Sequence, residues 1–219
     1  DFSEARFHQA FLLKENKNTA KAENLFSKLV SEFPANLIYC LNWGMCLVEL
    51  QKLHKAEKIF EDAIIKHPNS GEAHLAMGAL QRVQGNISGA ILLLEKAISL
   101  NTKLADSYGM LALCYQQNAE FKKAEECYIK ALKNEPDSVN ILNNFGQFYH
   151  EIGEYKKSFD LFLQAHKSSI PKKNIVSSLY YSAANMCDWS QTKIIENTFP
   201  NLGINDDERV TPFVMLQYE

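Results

Sequence analysis

Apolar residues recur along the chain at i, i+3, i+4 and i+7, in helix-length blocks separated by short polar breaks. The stretch from Trp43 to Pro68 shows the unit: an apolar-periodic helix to about Leu50, a break at Gln51-Lys52, and a second helix from Leu53 to Lys66. Gly44, Ala56 and Ala63 are small where neighbouring backbones must approach, Leu47 and Phe60 fill the space between, and Pro68 closes the pair. The unit then repeats at a fixed step of thirty-four residues with no insertion. That step joins Ala10, Gly44, Gly78, Ala112 and Gly146, and also Leu13, Leu47, Gln81, Tyr115 and Tyr149. It joins Ala22, Ala56, Ala90, Ala124 and Ser158, then Phe26, Phe60, Leu94, Tyr128 and Phe162, and then Leu29, Ala63, Ala97, Ala131 and Ala165. The closing prolines stand at Pro34, Pro68 and Pro136, with Thr102 in place of one and the last displaced to Pro171.

These columns resemble tetratricopeptide repeats, five copies at about 3–36, 37–70, 71–104, 105–138 and 139–172, which together make a repeat domain over 1–172. The fold class expected is all-α, a right-handed superhelical α-solenoid of about five helix pairs with a C-terminal helical capping and linker segment over 173–219. One pair cannot bury its own apolar face, so stability has to come from stacking on the next pair. The first helices, about 3–16, 37–50, 71–84, 105–118 and 139–152, are expected to line the concave face. The second helices, about 19–32, 53–66, 87–100, 121–134 and 155–168, should lie outside. Proline ends each pair because it lacks an N–H and disfavours helix in the residue before it. Asn69-Ser70 and Asp137-Ser138 follow such prolines and are expected to cap the next first helix.

Composition changes this picture little. Hydrophobic residues make up 46 % of the 219, and the formal net charge of −3 offers nothing to nucleic acid or an anionic membrane. No apolar run is long enough to span a bilayer, and no signal-peptide pattern stands at the start. Cys40, Cys46, Cys114, Cys127 and Cys187 are odd in number, lack CxxC spacing and fall mostly on apolar helix faces. They read as buried reduced thiols, which favours the cytoplasm or nucleus. Lys21, Lys28, Lys55, Lys58, Lys122, Lys123, Lys130, Lys156 and Lys157 sit on second helices and read as a solvated outer face. Outer carboxylates such as Glu61-Asp62 and Glu125-Glu126 read the same way. His74, His150 and His166 are single, Gly85-Asn86-Ile87-Ser88-Gly89 is a turn between helices, and no nucleophile–base–orienter set can be assembled. The chain alone is not expected to be an enzyme or to hold a metal or cofactor.

After Pro171 the period fails. Residues 173–187 still read as a helix, with Ile175, Val176, Leu179, Tyr180 and Ala183 on one side, and a further helix is expected from Ser190 to about Thr198. Met186-Cys187-Asp188-Trp189 at the helix end, followed by Pro212-Phe213 and Leu216, resembles the O-linked N-acetylglucosamine transferase family, in its Spindly-like branch. The resemblance covers a short part of the tail. It implies that the chain is the substrate-recognition region of a larger glycosyltransferase using a UDP-sugar donor, with the catalytic lobes beyond Glu219. The other function class is a freestanding adaptor mediating protein–protein assembly without a linked enzyme.

The same resemblance implies an asparagine ladder two residues before the small-residue column, gripping the main chain of an extended acceptor peptide. A carboxamide suits that task because it both donates and accepts. Asn42 and Asn144 match the ladder, while His8, Ala76 and Met110 depart from it. Repeat three offers an apolar concave patch with Leu75, Ala76, Ala79 and Val83, and repeat five a polar one with Asn140, Asn143, Asn144, Gln147 and His150. The expected ligand is a protein or peptide segment with apolar side chains centrally and backbone contacts toward repeat five. Self-association through a terminal repeat face is compatible with either function class. A clamp for a chaperone carboxylate would need a Lys/Arg set of which only Lys14 and Arg82 stand on the concave positions.

Overall fold

A computed structural model describes residues 2–100, 104–167 and 173–186. Every regular element among them is an α-helix, eleven in all. The first helices of the repeats are α1 (Phe2–Glu15), α3 (Leu37–Glu49), α5 (Gly71–Val83), α7 (Leu104–Gln117) and α9 (Val139–Glu151). The second helices are α2 (Thr19–Glu32), α4 (Leu53–Lys66), α6 (Ile87–Ser99), α8 (Phe121–Asn134) and α10 (Tyr155–Lys167), and α11 (Lys173–Asn185) follows. Each lies within two residues of its expected bounds. The chain forms two compact units, Asp1–Glu120 and Phe121–Glu219. The second tail helix expected near Ser190, with Cys187-Asp188-Trp189, Pro212-Phe213 and Leu216, lies outside the described residues.

The turn inside every pair is built in one way. Lys17, Gln51, Gly85, Ala119 and Gly153, one per repeat, have φ between 58° and 82°. The following N–H reaches back to the last turn of the first helix, Asn18 to Leu13, Lys52 to Leu47, Asn86 to Gln81, Glu120 to Tyr115 and Glu154 to Tyr149, at 2.8–2.9 Å. That is a Schellman closure, which consumes orphan carbonyls at the helix end and reverses the chain within two residues. Between pairs the caps differ. The carboxamide of Asn36 accepts from the Tyr39 N–H at 3.2 Å, and Ser70 Oγ from the Ala73 N–H at 3.2 Å. Ser138 takes the N-cap position of α9 without a side-chain cap bond, so the capping expected there is made by Ser70 alone of the two.

The small column meets the large one within the second, third and fifth pairs. A Cβ on Gly44 would stand 2.2 Å from Phe60, and one on Gly146 2.7 Å from Phe162, so only hydrogen fits beneath those rings. In the first unit Ala10, Ala22, Phe26 and Leu29 form one buried cluster with Tyr39 and Cys46 of the next repeat. Leu47, Ala56 and Phe60 do the same with Met77 and Leu80. In the second unit Phe159, Phe162 and Ala165 are sealed by Ile175, Leu179 and Ala183 of α11. Ser158, which breaks the alanine column, has its buried hydroxyl 3.0 Å from that of Ser182 on α11. The departure in the fifth repeat is thereby matched by its covering helix.

A polar column runs beside the apolar ones, where free solvation was expected. Glu23, Glu57 and Glu125 lie one repeat step or a multiple of it apart, each on a second helix, and each accepts from the next first helix. Trp43 Nε1 donates to Glu23 at 2.9 Å, Gln81 Nε2 to Glu57 at 3.2 Å, and the Tyr149 hydroxyl to Glu125. Glu125 is therefore a junction residue rather than outer solvated charge, and burial together with this carboxylate pushes the Tyr149 hydroxyl above its ordinary pKa. At Glu23, burial pushes the carboxyl up, but the Trp43 and Lys52 hydrogen bonds and the Lys52 and Lys55 charges outweigh it and hold it below 4.5. A depressed carboxyl stabilises the fold above its unfolded pKa, and that stabilisation is lost as pH falls through the folded value. Between about pH 6 and pH 3 the wild type should lose more melting temperature than Glu23→Gln. Parallel pH slopes for the two proteins would refute the role of this pair.

Candidate binding surface

The packing order decides which faces stay open. In the first unit α2, α4 and α6 each pack on their own first helix and on the next one, and α3 also packs on α5 and α5 on α7; in the second unit α8 packs on α9, α10 on α9 and α11, and α9 on α11. First helices therefore adjoin in rows, and their outward faces form strips. On the first unit's strip Leu75, Ala76 and Ala79 are half-buried, while Ile38 is 58 % and Val83 43 % exposed. On α3 the same columns carry Leu41 and Met45, which are half-buried and pack, with Val48, against the core. Ala76 packs on the core, whereas Ile38 and Val83 leave apolar surface in the open.

Asn42 sits on this strip and turns one amide N–H back to the Ile38 carbonyl at 2.8 Å. Leu75 and Ala79 stand on α5 of the same unit. Asn140, Asn143, Asn144 and Gln147 belong to α9 in the second unit, Asn140 and Gln147 exposed and Asn143 and Asn144 half-buried. The Asn143 carboxamide oxygen is buried and has no hydrogen-bond partner among the described residues. A buried acceptor left unpaired is costly. His150, read as solitary, has its Nε2 3.4 Å from the Asn185 amide and its ring edge-on to Tyr155 at 5.3 Å. His74 is tied by Nδ1 to the Ser70 carbonyl at 2.8 Å.

Other chemistry is engaged elsewhere. Lys14 pairs with Glu49 at 3.6 Å. The nine second-helix lysines are exposed as expected, although Lys55 lies 4.9 Å above the Trp43 ring and Lys157 4.9 Å above that of Tyr149. Cys40, Cys46, Cys114 and Cys127 are buried free thiols, and burial pushes Cys46 and Cys114 up to about 11. Thiols so protonated are poor nucleophiles. Among the described residues no group of three His, Cys, Asp or Glu could hold a metal, and no helix is long and apolar enough to cross a membrane.

Protein-family models for tetratricopeptide repeats match residues 4–36 and 41–105, and one for the anaphase-promoting complex, cyclosome, subunit 3 matches 83–165. The chain is similar to the type IV pilus assembly protein PilF of Pseudomonas aeruginosa, 34 % identical over 96 residues that cover 44 % of this chain and 37 % of that protein. It is similar to the human signal recognition particle subunit SRP72, 23 % identical over 203 residues covering 89 % of this chain and 30 % of that one. It spans well under half the length of these curated relatives. The crystal structure of PilW, a widely conserved type IV pilus biogenesis factor, superposes with a TM-score of 0.75 at 14 % identity, covering 94 % of this chain and 96 % of that one. At that identity the likeness speaks for the fold alone.

Proposed function

From a chain that carries tetratricopeptide repeats, we propose a protein-interaction scaffold that receives a segment of a partner along its first-helix strips. The observation behind this reading is the apolar row Ile38, Leu75, Ala79 and Val83, exposed at its ends and half-buried between. Apolar surface that folding leaves in contact strips is surface available to a partner. On the second unit, Asn140, Asn143, Asn144 and Gln147 would serve main-chain groups. The resembled proteins are named as an assembly protein and as subunits of larger complexes, which favours the adaptor reading.

The finer reading, recognition region of an O-linked sugar transferase with a UDP-sugar donor, rests on Cys187-Asp188-Trp189 and Pro212-Phe213. Those residues are not described, and the relatives named above include no glycosyltransferase. The adaptor reading needs only the strips and therefore stands first. Its test is site-specific photo-crosslinking in the native cell, with a benzophenone side chain replacing Ile38 or Ala79, and Lys58 on the outer face as reference. Discrete protein adducts are expected at the strip positions and not at Lys58; equal adduct patterns at all three would refute the reading.

A further inference from the structure

The row formed by α3, α5 and α7 carries a single lysine or arginine, Arg82, in the last turn of α5. The repeat step shows what answers a residue at that place. Two steps earlier Lys14 holds the same column, and it pairs with Glu49 of the next first helix at 3.6 Å. One step earlier the column carries Val48, and the column of Glu49 then carries Val83, apolar matched to apolar. At Arg82 the match is broken, because the place of Glu49 is taken by Gln117, which is exposed and uncharged. Arg82 itself is half-buried, and its Nε is out of solvent with no hydrogen-bond acceptor among the described residues. Burial pushes the Cys114 thiol of α7 up, and the Arg82 charge, close enough to be felt there, opposes it. A last-turn cation also eases the helix dipole, but a lysine does that with no buried nitrogen.

We propose that Arg82 receives a side-chain carboxylate of the partner segment, an aspartate or glutamate beside a large apolar residue that rests on Ala79 and Val83. This deepens the reading of the first-helix strip as the binding surface and rests on it. Val83, 43 % exposed, adjoins Arg82 in sequence, and Ala79 lies one turn back on α5. The acidic and apolar contacts therefore fall on neighbouring residues of the ligand. The planar guanidinium presents paired N–H groups that match the two oxygens of a carboxylate. A polyanion does not suit the same row. Glu49, Glu72 and Asp106 stand on its three helices, and no second cation is among them to share a phosphate's charge. The row also continues past α5 on both sides, onto α3 and α7, so a segment crosses it rather than ending there. That favours a side chain over a terminal carboxylate.

A display library of random segments of about 10 residues, long enough when extended to cross the three helices, supplies the probe. Selected on the 219-residue chain, the pool should be enriched in Asp or Glu next to a large apolar residue. The best such peptide is then titrated beside its counterpart with the acid replaced by the matching amide. The amide peptide should bind about tenfold or more weakly, as expected for losing a hydrogen-bonded charge. Arg82→Gln should weaken the acidic peptide by a similar factor and leave the amide peptide unchanged. Arg82→Lys, which keeps the charge and loses the fork, should fall between. An amide peptide that binds the wild type as tightly overturns the proposal, and that comparison needs no variant protein to fold. So does an Arg82→Gln loss equal for both peptides, or binding that depends on the peptide's free C-terminus and not on its acidic side chain. Apolar peptides without acidic enrichment, weakened by Ala79→Gln, sink the carboxylate and keep the strip. Selected peptides indifferent to Ala79→Gln, or no selected peptide at all, sink the strip reading with it.

Discussion

Phe60→Ala is expected to lower the unfolding free energy by about 3–5 kcal/mol, the range for emptying the space of a fully buried aromatic ring. Phe60 has no exposed surface and lies between Leu47 and Ala56 of its own pair and Met77 and Leu80 of the next. The helices around it cannot readily close the void, because α4 is tied to the preceding turn. Lys66 donates to the Pro34 carbonyl, and the His67 ring meets the Ala35 carbonyl, both at 3.1 Å. Stacked repeats are stabilised by nearest-neighbour interfaces, so the loss falls on the second and third repeats together. Urea unfolding followed by circular dichroism measures it, and a loss under about 1 kcal/mol would mean that the column does not fill the junction.

Gly44→Ala is expected to destabilise by about 1–2 kcal/mol although alanine is the better helix former. Relief of a helical glycine is worth about 1 kcal/mol. Against it stands overpacking of about 1–3 kcal/mol, and the geometry puts Gly44 at the upper end: the new Cβ would lie 2.2 and 2.5 Å from two ring carbons of a Phe60 with nowhere to move. Gly78→Ala offers the contrast. There the nearest atom is the branched carbon of Leu94 at 3.0 Å, so the propensity gain and the contact should roughly cancel. Adding Phe60→Leu to Gly44→Ala sets the leucine of the third repeat's large column opposite the new methyl, and the double variant should recover about 0.5–3 kcal/mol relative to the sum of the single changes. Strict additivity would show that the two positions do not meet.

The repeat, the helix bounds and the residues that touch within a pair were legible because they follow one step and one residue class per column. The polar column was not. Glu23, Glu57 and Glu125 look like any charged outer-helix residues, and their donors, an indole, a carboxamide and a phenol, share no residue type. Ile91 interrupts the column in the third repeat, which hides it further. The Ser158 departure could be seen, but its partner could not, since Ser182 falls where the period has already failed. The binding strip was legible as positions. That Asn42 bends back onto Ile38 while the Asn143 oxygen is left unpaired depends on rotamers, which no spacing encodes.

The junction carboxylates also bear on the order of the repeats. Apolar stacking alone would let any pair sit on any other, since alanine, phenylalanine and leucine columns are interchangeable from copy to copy. The donor that answers each glutamate differs: Trp43 with Lys52 and Lys55 around Glu23, Gln81 with Gln84 at Glu57, Tyr149 at Glu125. Setting Ile91 against one of those donors, or a glutamate against an apolar neighbour, leaves a half-buried polar group without its complement. Out-of-sequence stacking, between chains or within one, is thus penalised at these seams, and a chain of near-identical units keeps a single arrangement while it folds and while copies crowd one another.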